Sequence, residues 1–523
     1  MSYTYDSDTG MMTRKRKSAG RGGKRAFQIL SNPQFSANWL TATTGPNSEL
    51  QGNLQRLIEM SRTLEQDAYG SSFFQTWVTG VVGSCGYTLE SCPIDQSGAV
   101  DATAARTIED AWKEWKRAQN CTPGGDMPWS MVKRTTEQTF VRDGGVLIKC
   151  IEGFPGNEFG FAVQVLEVDQ IDILFDRGAS NGQNKVVMGK EIDQWGRVVA
   201  YHLYGEHPGE VYTRDGYKRT RVLAEGFIHR YHRTRAGRVQ GVPMTLAAMT
   251  HLRHLSKYAE AEVIAARMHA CASMRLQSDP SAPAAPFDPD NDDPDDNIFF
   301  DYELTPGGIA DVPDGKVLDL LQSHHPHSSY GEFQKAVLRG AAAGLSINYN
   351  ALASDLEGVN YSSLREGKLA QNAVFKAFQH LNIEVEEDAI FRRWLRVQLA
   401  MGKIGLPLAK FDKFKRAKWH AERKPWVDPL KEANATKSLL EQGLTSPRRV
   451  AAEIHNAPLE DILKERADDL QLMESLGLAA PEWANANGGG GGDLSATNPM
   501  DDSEDESDDE ASEDEPNENN DDE

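Results

Sequence analysis

The sequence predicts an α+β chain: helices and an antiparallel sheet come first, then a long helix, a small β unit, and helices to the end of the folded part. Three observations carry this. Between Gly145 and His232, short runs rich in Val, Ile and Tyr alternate with Gly and Asp, the pattern of strands joined by turns. On either side, apolar residues recur at spacings of three and four, which places them on one helix face. The 523 residues are enough for two to four domains with substantial cores.

The chain opens on residues 1 to about 48, a flexible arm with Gly20, Gly22 and Gly23 among Arg14, Lys15, Arg16, Lys17, Arg21, Lys24 and Arg25. Such a basic arm is either a disordered tail or one that touches nucleic acid or a neighbouring subunit. Helical patterning begins near Leu50, where Leu54, Leu57, Ile58 and Met60 to Leu64 make an amphipathic face. A second, mostly apolar segment spans Phe73 to Val82, and a third helix covers Ala104 to Gln119. In the third helix, Trp112 and Trp115 stand three apart, a core pairing.

The runs GVLIKCIE, FAVQVLEV, VVMGKEI, RVVAYHLY and GFIHRYH then predict an antiparallel sheet of about five strands. At Pro243, placed as a first-turn residue, a helix starts that is expected to run to about Gln277, roughly 50 Å at 1.5 Å per residue. It is alanine-rich, with Leu252, Ala259, Val263, Ala266 and Ala270 on one narrow stripe, the kind along which neighbouring helices pack closely. A Pro- and Asp-rich loop follows from Ser278 to Asn297. Asp288, Asp290 and Asp292 resemble a calcium loop, but Asp293 and Phe299 stand where it needs Gly and Glu, so a solvated loop is expected. NIFFDYEL, GGIADV and GKVLDLLQ predict a small β unit from Asn297 to Gln322. His324, His325 and His327 bracket Pro326 and read as a helix-entry turn.

From Ser328 to Phe378 the pattern is helix, irregular polar loop, helix. Tyr330, Phe333, Val337 and Ala341 share a face, and Gly344 is the expected C-terminal stop. SINYNALASDLEGVN is rich in residues that bond their own backbone in turns. Ser362 or Ser363 is the expected cap of the next helix, with Glu366 at capping-box distance from Ser363. Helical pattern continues from Leu364 to Met401, and further helices are expected at Pro429 to Gln442, Pro447 to His455 and Leu459 to Leu476. Gly488 to Gly492 form a linker. Beyond Met500 lie fifteen acidic and no basic residues, so the chain's net charge of −22 falls to −7 without them.

Several chemistries lack a pattern. GxxxxGK[ST] and HExxH do not occur. GxSxG occurs at Gly178, Ser180 and Gly182, but a strand-like run follows where a nucleophile elbow needs a helix. The five scattered cysteines form no CxxC pair, which fits a reducing compartment. No apolar run approaches the ~18 residues of a membrane span, and no secretory signal is evident. The expectation is a soluble protein without enzyme activity, metal or cofactor.

Two stretches carry a family resemblance. Gly344, Leu345, Tyr349, Leu352, Asp355, Asn360, Tyr361, Ser362, Ser363 and Arg365 match the tunnel-loop motif of lambda-like phage portal proteins. Trp426, Pro429, Lys431, Glu432, Ala435, Gly443, Leu444 and Ser446 match a second motif of that family, and VLEVDQID with VMGKEIDQWGRVVAYHLY resembles its wing hairpin. The resemblance implies a portal-type subunit with an α/β wing, a long helical stem, a small β clip and a helical crown, assembling into a ring. Its expected parts are the flexible basic arm (1–48), the wing (49–242), stem helix one (243–277) and the clip with its Asp/Pro-rich loop (278–327). Stem helix two (328–345), the tunnel loop (346–361), and the long helix with the wing return (362–425) come next. The helical crown (426–480), and the Gly linker with a disordered acidic tail (481–523), end the chain.

The resemblance further implies a homo-oligomer, typically of twelve subunits, at one vertex of the capsid, assembled in the host cytoplasm. Double-stranded DNA would pass its channel without sequence specificity. Terminase large subunit, a head-completion or connector protein, and major capsid and scaffold proteins are the implied partners. Lys335 and Arg339 are the candidates for weak phosphate contacts, and Asn348, Tyr349, Asn350 and Ser354 for contacts to the DNA backbone. The alternative for each is an intersubunit or cap hydrogen bond. A soluble nucleic-acid-binding or assembly-chaperone scaffold would use the basic arm and acidic tail, but leaves the motifs and the alanine-rich helix unexplained.

Overall fold

The computed structural model describes residues 44–95, 98, 100–180, 182–210, 218–270, 274–278, 316–320, 330–422, 429–455 and 459–478. It also describes two short strands, β1 (Tyr3–Tyr5) and β2 (Met12–Arg14), which pair antiparallel. The chain divides into two compact units, Met1–Leu459 and Glu460–Glu523. Most of the basic arm, the Gly linker and the acidic tail lie outside the described residues. The arm's last residues do not behave as a free tail: Asn47 Nδ2 donates to Gly237 O at 3.1 Å, and Leu50 just beyond is fully buried.

In the first unit, α1 (Leu54–Glu65) turns into α2 (Ala68–Val81), whose N-cap Asp67 accepts from the Tyr69 N–H at 3.0 Å. After β3 (Tyr87–Ser91), Asp101 caps α3 (Ala102–Trp115) through the Ala104 N–H. A short α4 (Ala118–Cys121) leads to α5 (Trp129–Asp143), a helix the sequence reading left out. Its face is buried through polar residues as well as apolar ones, with Lys133, Thr136 and Glu137 all inside, so apolar periodicity is weak there. Gly144 ends α5 with φ +80°, and an added Cβ would meet the Val242 carbonyl carbon at 2.2 Å.

The strands form two main sheets where one of about five was expected. In the first, β4 (Gly145–Glu152) lies between β5 (Phe161–Leu166) and β10 (Phe227–Tyr231). The second runs in order β6 (Lys185–Val187), β7 (Lys190–Ile192), β8 (Val198–Tyr204) and β9 (Arg219–Leu223). All pairs are antiparallel. The sequence pattern read VVMGKEI as one strand. Met188 (φ +49°) and Gly189 (φ +75°) break it into a hairpin, because two successive left-handed residues make the tight turn that suits twisted strands.

The first core holds Trp77, Trp112, Trp115, Trp129 and Trp394 with Phe73, Phe140, Phe161 and Phe391. Trp112 and Trp115 stack at 4.7 Å, as the core pairing predicted. A second core joins Leu50, Leu54 and Ile58 to Tyr201 and Leu203 beneath the four-stranded sheet.

A 3-10 turn at Met244–Ala247 precedes α6 (Met249–Ala270). This helix is shorter than expected, about 33 Å at 1.5 Å per residue. The chain turns extended at β11 (Met274–Ser278), where the sequence M-R-L-Q-S alternates, and pairs with β12 (Lys316–Leu320) in the register Leu276↔Leu318. Thus the KVLDL part of GKVLDLLQ is a strand, as read. NIFFDYEL, GGIADV, the aspartates of the calcium-like loop and His324, His325 and His327 lie outside the described residues.

Next, α7 (Tyr330–Leu345), α8 (Tyr349–Ala353) and α9 (Tyr361–Asn382) lead through a π-helical turn (Ile383–Glu387) into α10 (Asp388–Met401). Gly402, at φ +67°, ends that helix. After α11 (Phe411–Phe414), β13 (Ala417–Ala421) pairs with β3, a strand pair that short, mixed runs kept hidden. The helices α12 (Pro429–Glu441) and α13 (Pro447–His455) fall where expected. In the second unit, α14 (Leu459–Ser475) closes with Gly477 at φ +68° and a Leu478 N–H to Met473 O bond of 2.9 Å, a C-terminal cap.

Candidate functional site

The segment from α7 to the start of α9 holds all the sequence-predicted site residues. On α7, Leu338, Ala341, Ala342 and Leu345 are buried, while Tyr330 stacks on Tyr258 of α6 at 5.7 Å and Phe333 meets the same ring edge-on at 5.2 Å. Gly344 does not stop the helix. It lies within α7, where an added Cβ would come 3.2 Å from Ala247 Cβ, so it lets the helix approach the Met244–Ala247 turn. The stop is Ser346, left-handed at φ +56°, with the Ile347 N–H reaching back to Ala342 O at 3.2 Å.

The polar loop is more ordered than its composition suggested. Its centre is α8, anchored by the buried Leu352 and by Ser72 of α2, whose hydroxyl donates to Ala351 O at 3.1 Å. Ser354, at φ +52°, ends α8 and is exposed, while Asn350 is half-buried. The Asn348 N–H donates to Gln371 Oε1 at 2.9 Å, which ties the start of α8 to α9.

Tyr349 donates its hydroxyl proton to Asp355 Oδ2 at 2.7 Å, and Asp355 Oδ1 accepts from the Glu357 N–H at 2.9 Å. Lys335 Nζ lies 2.8 Å from Glu357 Oε2 and 3.9 Å from Asp355 Oδ2. The Arg339 guanidinium sits over the Tyr349 ring at 5.5 Å. The Tyr349 hydroxyl, the Glu357 N–H and Lys335 together hold the Asp355 carboxyl below its ordinary range. Two cations therefore face two carboxylates, and this surface is charge-balanced.

Asn360 caps α9 by accepting the Ser363 N–H at 2.8 Å, and Ser363 Oγ donates to Asn360 O at 3.1 Å. This corrects the expected Ser363–Glu366 box: the helix starts at Tyr361, so neither Ser362 nor Ser363 is the cap. Ser362, Ser363 and Arg365 are exposed on the first turns of α9.

Sequence reasoning missed a charged cluster inside the first unit. Lys133 of α5 contacts Glu386 and lies 3.2 Å from Glu387 Oε1, and Arg230 of β10 reaches Glu137 Oε2 at 2.7 Å and Glu386 Oε1 at 2.5 Å. Asn382 and Trp77 donate to Glu137, both at 2.9 Å. The π turn widens the helix so that the adjacent Glu386 and Glu387 are both fully buried. Burial raises the Glu387 carboxyl, helped by Glu386. Burial also opposes ionisation of Glu386, but Arg230 and Lys133 outweigh it and lower that group. The only sequence signal was two adjacent glutamates, Glu386 and Glu387, inside a helical pattern.

Glu167, Asp169 and His207 bring ligand atoms within 4.8 Å of one another, the one group of metal-ligating type among the described residues. Arg62 already bonds Asp169 at 2.6 Å and Glu167 at 3.0 Å, and Arg142 bonds Glu167 at 2.7 Å. The Gly209 N–H donates to His207 Nδ1 at 3.1 Å, which leaves the ring proton on the nitrogen facing the carboxylates. The donor set is thus arranged as an ion-pair network. Ser180 of the GxSxG run lies in a turn closed by a 2.8 Å Gln183 N–H to Ser180 O bond, with β6 following.

The family model described as "Phage portal protein, lambda family" matches residues 32–379. A probable portal protein of Halomonas phage phiHAP-1 is 29% identical over 461 residues, covering 87% of this chain and 88% of the relative. Portal protein B of Escherichia phage lambda is 24% identical over 189 residues, covering 34% of this chain and 35% of the relative. Among solved structures, a chain from the neck of an empty gene transfer agent particle is 12% identical, covers 78% of this chain and 94% of its own length, and has a TM-score of 0.39. With well over half of its length inside the family match, the chain belongs to the lambda family of phage portal proteins.

Proposed function

We propose that copies of this chain close into a ring, typically of twelve, whose central channel conducts double-stranded DNA into the capsid and out of it. The observation that carries this reading is the partly bare apolar surface of α6 and α9. Leu252 and Leu255 of α6 are buried, but Val263 and Ile264 farther along are about half exposed, at 51% and 48%. Leu369 of α9 is 56% exposed. Helices that bury an apolar face at one end and leave it bare at the other suit packing against further copies.

In this reading, residues 49–242 are the wing, 243–277 and 328–345 the stem, 278–327 the clip, 346–361 the tunnel loop, 362–425 the long helix with the wing return, and 426–480 the crown. DNA affinity comes mainly from cations that neutralise phosphates. Lys335 is engaged by Glu357, so Arg339 is the stronger candidate for a passing phosphate, with Asn350 and Ser354 nearby. A balanced surface of this kind lets a duplex slide without being held. The ring sits at the unique capsid vertex, is assembled in the host cytoplasm, and docks terminase and a head-completion protein at the clip. Its wing and crown meet capsid and scaffold proteins. The role is that of a conduit, without catalysis.

Electron microscopy of the purified full-length chain tests the ring: monodisperse annuli with a central hole are expected, and a monomer at micromolar concentration would sink the proposal. The channel surface is tested by Arg339→Gln with Ser354→Ala. Rings should persist while packaged DNA per particle falls, and unchanged packaging would refute a role for these residues.

A further inference from the structure

Trp195 is 77% exposed, more than any other large hydrophobic among the described residues. It is also rigidly presented. Asp193 Oδ1 accepts from the N–H groups of Trp195 and Arg197, both at 2.8 Å, and the Asp193 N–H donates to Arg197 O at 2.9 Å. Gly196 takes φ +84° to close the turn. An indole held outward on a preorganised turn gains nothing within its own fold, and is the type of side chain that anchors interfaces. Arg197 beside it is exposed and pairs with no carboxylate among the described residues.

The same unit carries a groove of about 410 Å3 between the α4–α5 connection and the outer edge of β5. Pro123, Met127, Val163 and Val165 supply apolar walls, and Asp126 stands exposed on the rim without a cationic partner among the described residues. Phe161 O points out from that edge, accepting from Trp115 Nε1 at 3.0 Å and Asn157 Nδ2 at 2.9 Å. An apolar groove beside the outer strand of a sheet is a place where another chain docks.

The hairpin cannot fill the groove of its own chain. Trp195 precedes one end of β8, while beyond the other end His207 lies 3.3 Å from Glu167 on the groove rim. The seven residues of β8 set the two roughly 20 Å apart. A knob and a hole on different flanks of one chain make a head-to-tail contact, which closes into a ring when the rotation allows.

We infer that Trp195 of one copy seats in the β5 groove of the next, with Arg197 against Asp126. This contact rests on the ring reading above. It is tested in the full-length chain carrying Cys85→Ser, Gln194→Cys and Gln164→Cys, which keeps Trp195 in place. Mild oxidation should give a ladder of disulfide-linked multimers that neither single-cysteine variant gives. Rings without a ladder would overturn this contact and leave the portal reading standing, whereas wild-type protein that forms no rings would overturn both. Independently, Trp195→Ala should raise the concentration needed for half-assembly by at least about tenfold. Trp195→Phe should raise it much less, and an alanine variant that assembles like wild type would also sink the contact.

Discussion

Lys133 Nζ lies 3.2 Å from Glu387 Oε1, and neither side chain is more than 2% exposed. The same ammonium holds Glu386, so two cations, Lys133 and Arg230, serve three buried carboxylates with Glu137. The carboxyl left over is that of Glu387, which is raised by burial and by Glu386 and so favours its neutral form. Breaking a buried pair from one side is costly because the partner is left charged and dry. Lys133→Met is therefore expected to destabilise the fold by about 3–5 kcal/mol, read as a lower urea midpoint.

The two glutamates should differ in pH dependence. Glu386 has a lowered folded pKa, so its contribution is present above the unfolded value and is lost as pH falls through the folded one. Glu387 has a raised folded pKa, so the folded state holds a proton the unfolded chain has released, and stability declines as pH rises between the two values. Glu387→Gln should thus be tolerated at neutral pH and flatten that decline, whereas Glu386→Gln should lower the melting temperature. Equal losses for both would refute the assignment. Melting curves from pH 4 to 8 give the comparison.

Trp394 is fully buried and meets Trp112 edge-on at 5.0 Å and Phe391 at 6.0 Å. Trp394→Ala should cost about 3–5 kcal/mol by opening a cavity among rings that cannot collapse. Chemical denaturation followed by circular dichroism reads this loss directly.

Gly344→Val should destabilise by roughly 1–3 kcal/mol, because its branched side chain has to enter the space held by Ala247. Were Gly344 a helix stop, Asn would be the well-tolerated replacement, since Asn accepts left-handed backbone. The expected ranking by thermal shift places Ala above both Asn and Val.

Cysteine reactivity should follow burial. The Cys121 thiol is pushed up to about 12 and that of Cys150 to about 11, in each case chiefly by burial. Cys85 is exposed. Alkylation of native protein at pH 8, mapped by mass spectrometry, should label Cys85 early and spare Cys121 and Cys150 until denaturant is added.

Much of the fold was legible because its signals are local. The Trp112–Trp115 pair, the strand GVLIKCIE and the helix at Pro447–His455 each follow from spacing and turn chemistry within a few residues. Failures occurred where a distant residue decided a local outcome. Gly344 looked like a cap, but Ala247 explains it and Ser346 does the capping. The α5 helix escaped because its buried face carries Lys133 and Glu137, whose partners, Glu386 of the π turn, Arg230, Asn382 and Trp77, are distant in sequence. The candidate site was legible as a segment, while its pairings, Lys335 with Glu357 and Tyr349 with Asp355, were not.

By itself, then, the sequence determined most of the helices and strands with local patterns, the family motif from Gly344 to Arg365, and the absence of familiar catalytic patterns, since periodicity and spacing are properties of neighbouring residues. Only the tertiary structure decided which polar side chains are already engaged. Lys133 and Glu386 are 253 positions apart, and Ser72 reaches Ala351 across 279. Whether a charge is solvated, paired or buried depends on the path of the chain between such points, which sets both the electrostatic environment and the entropy of bringing them together.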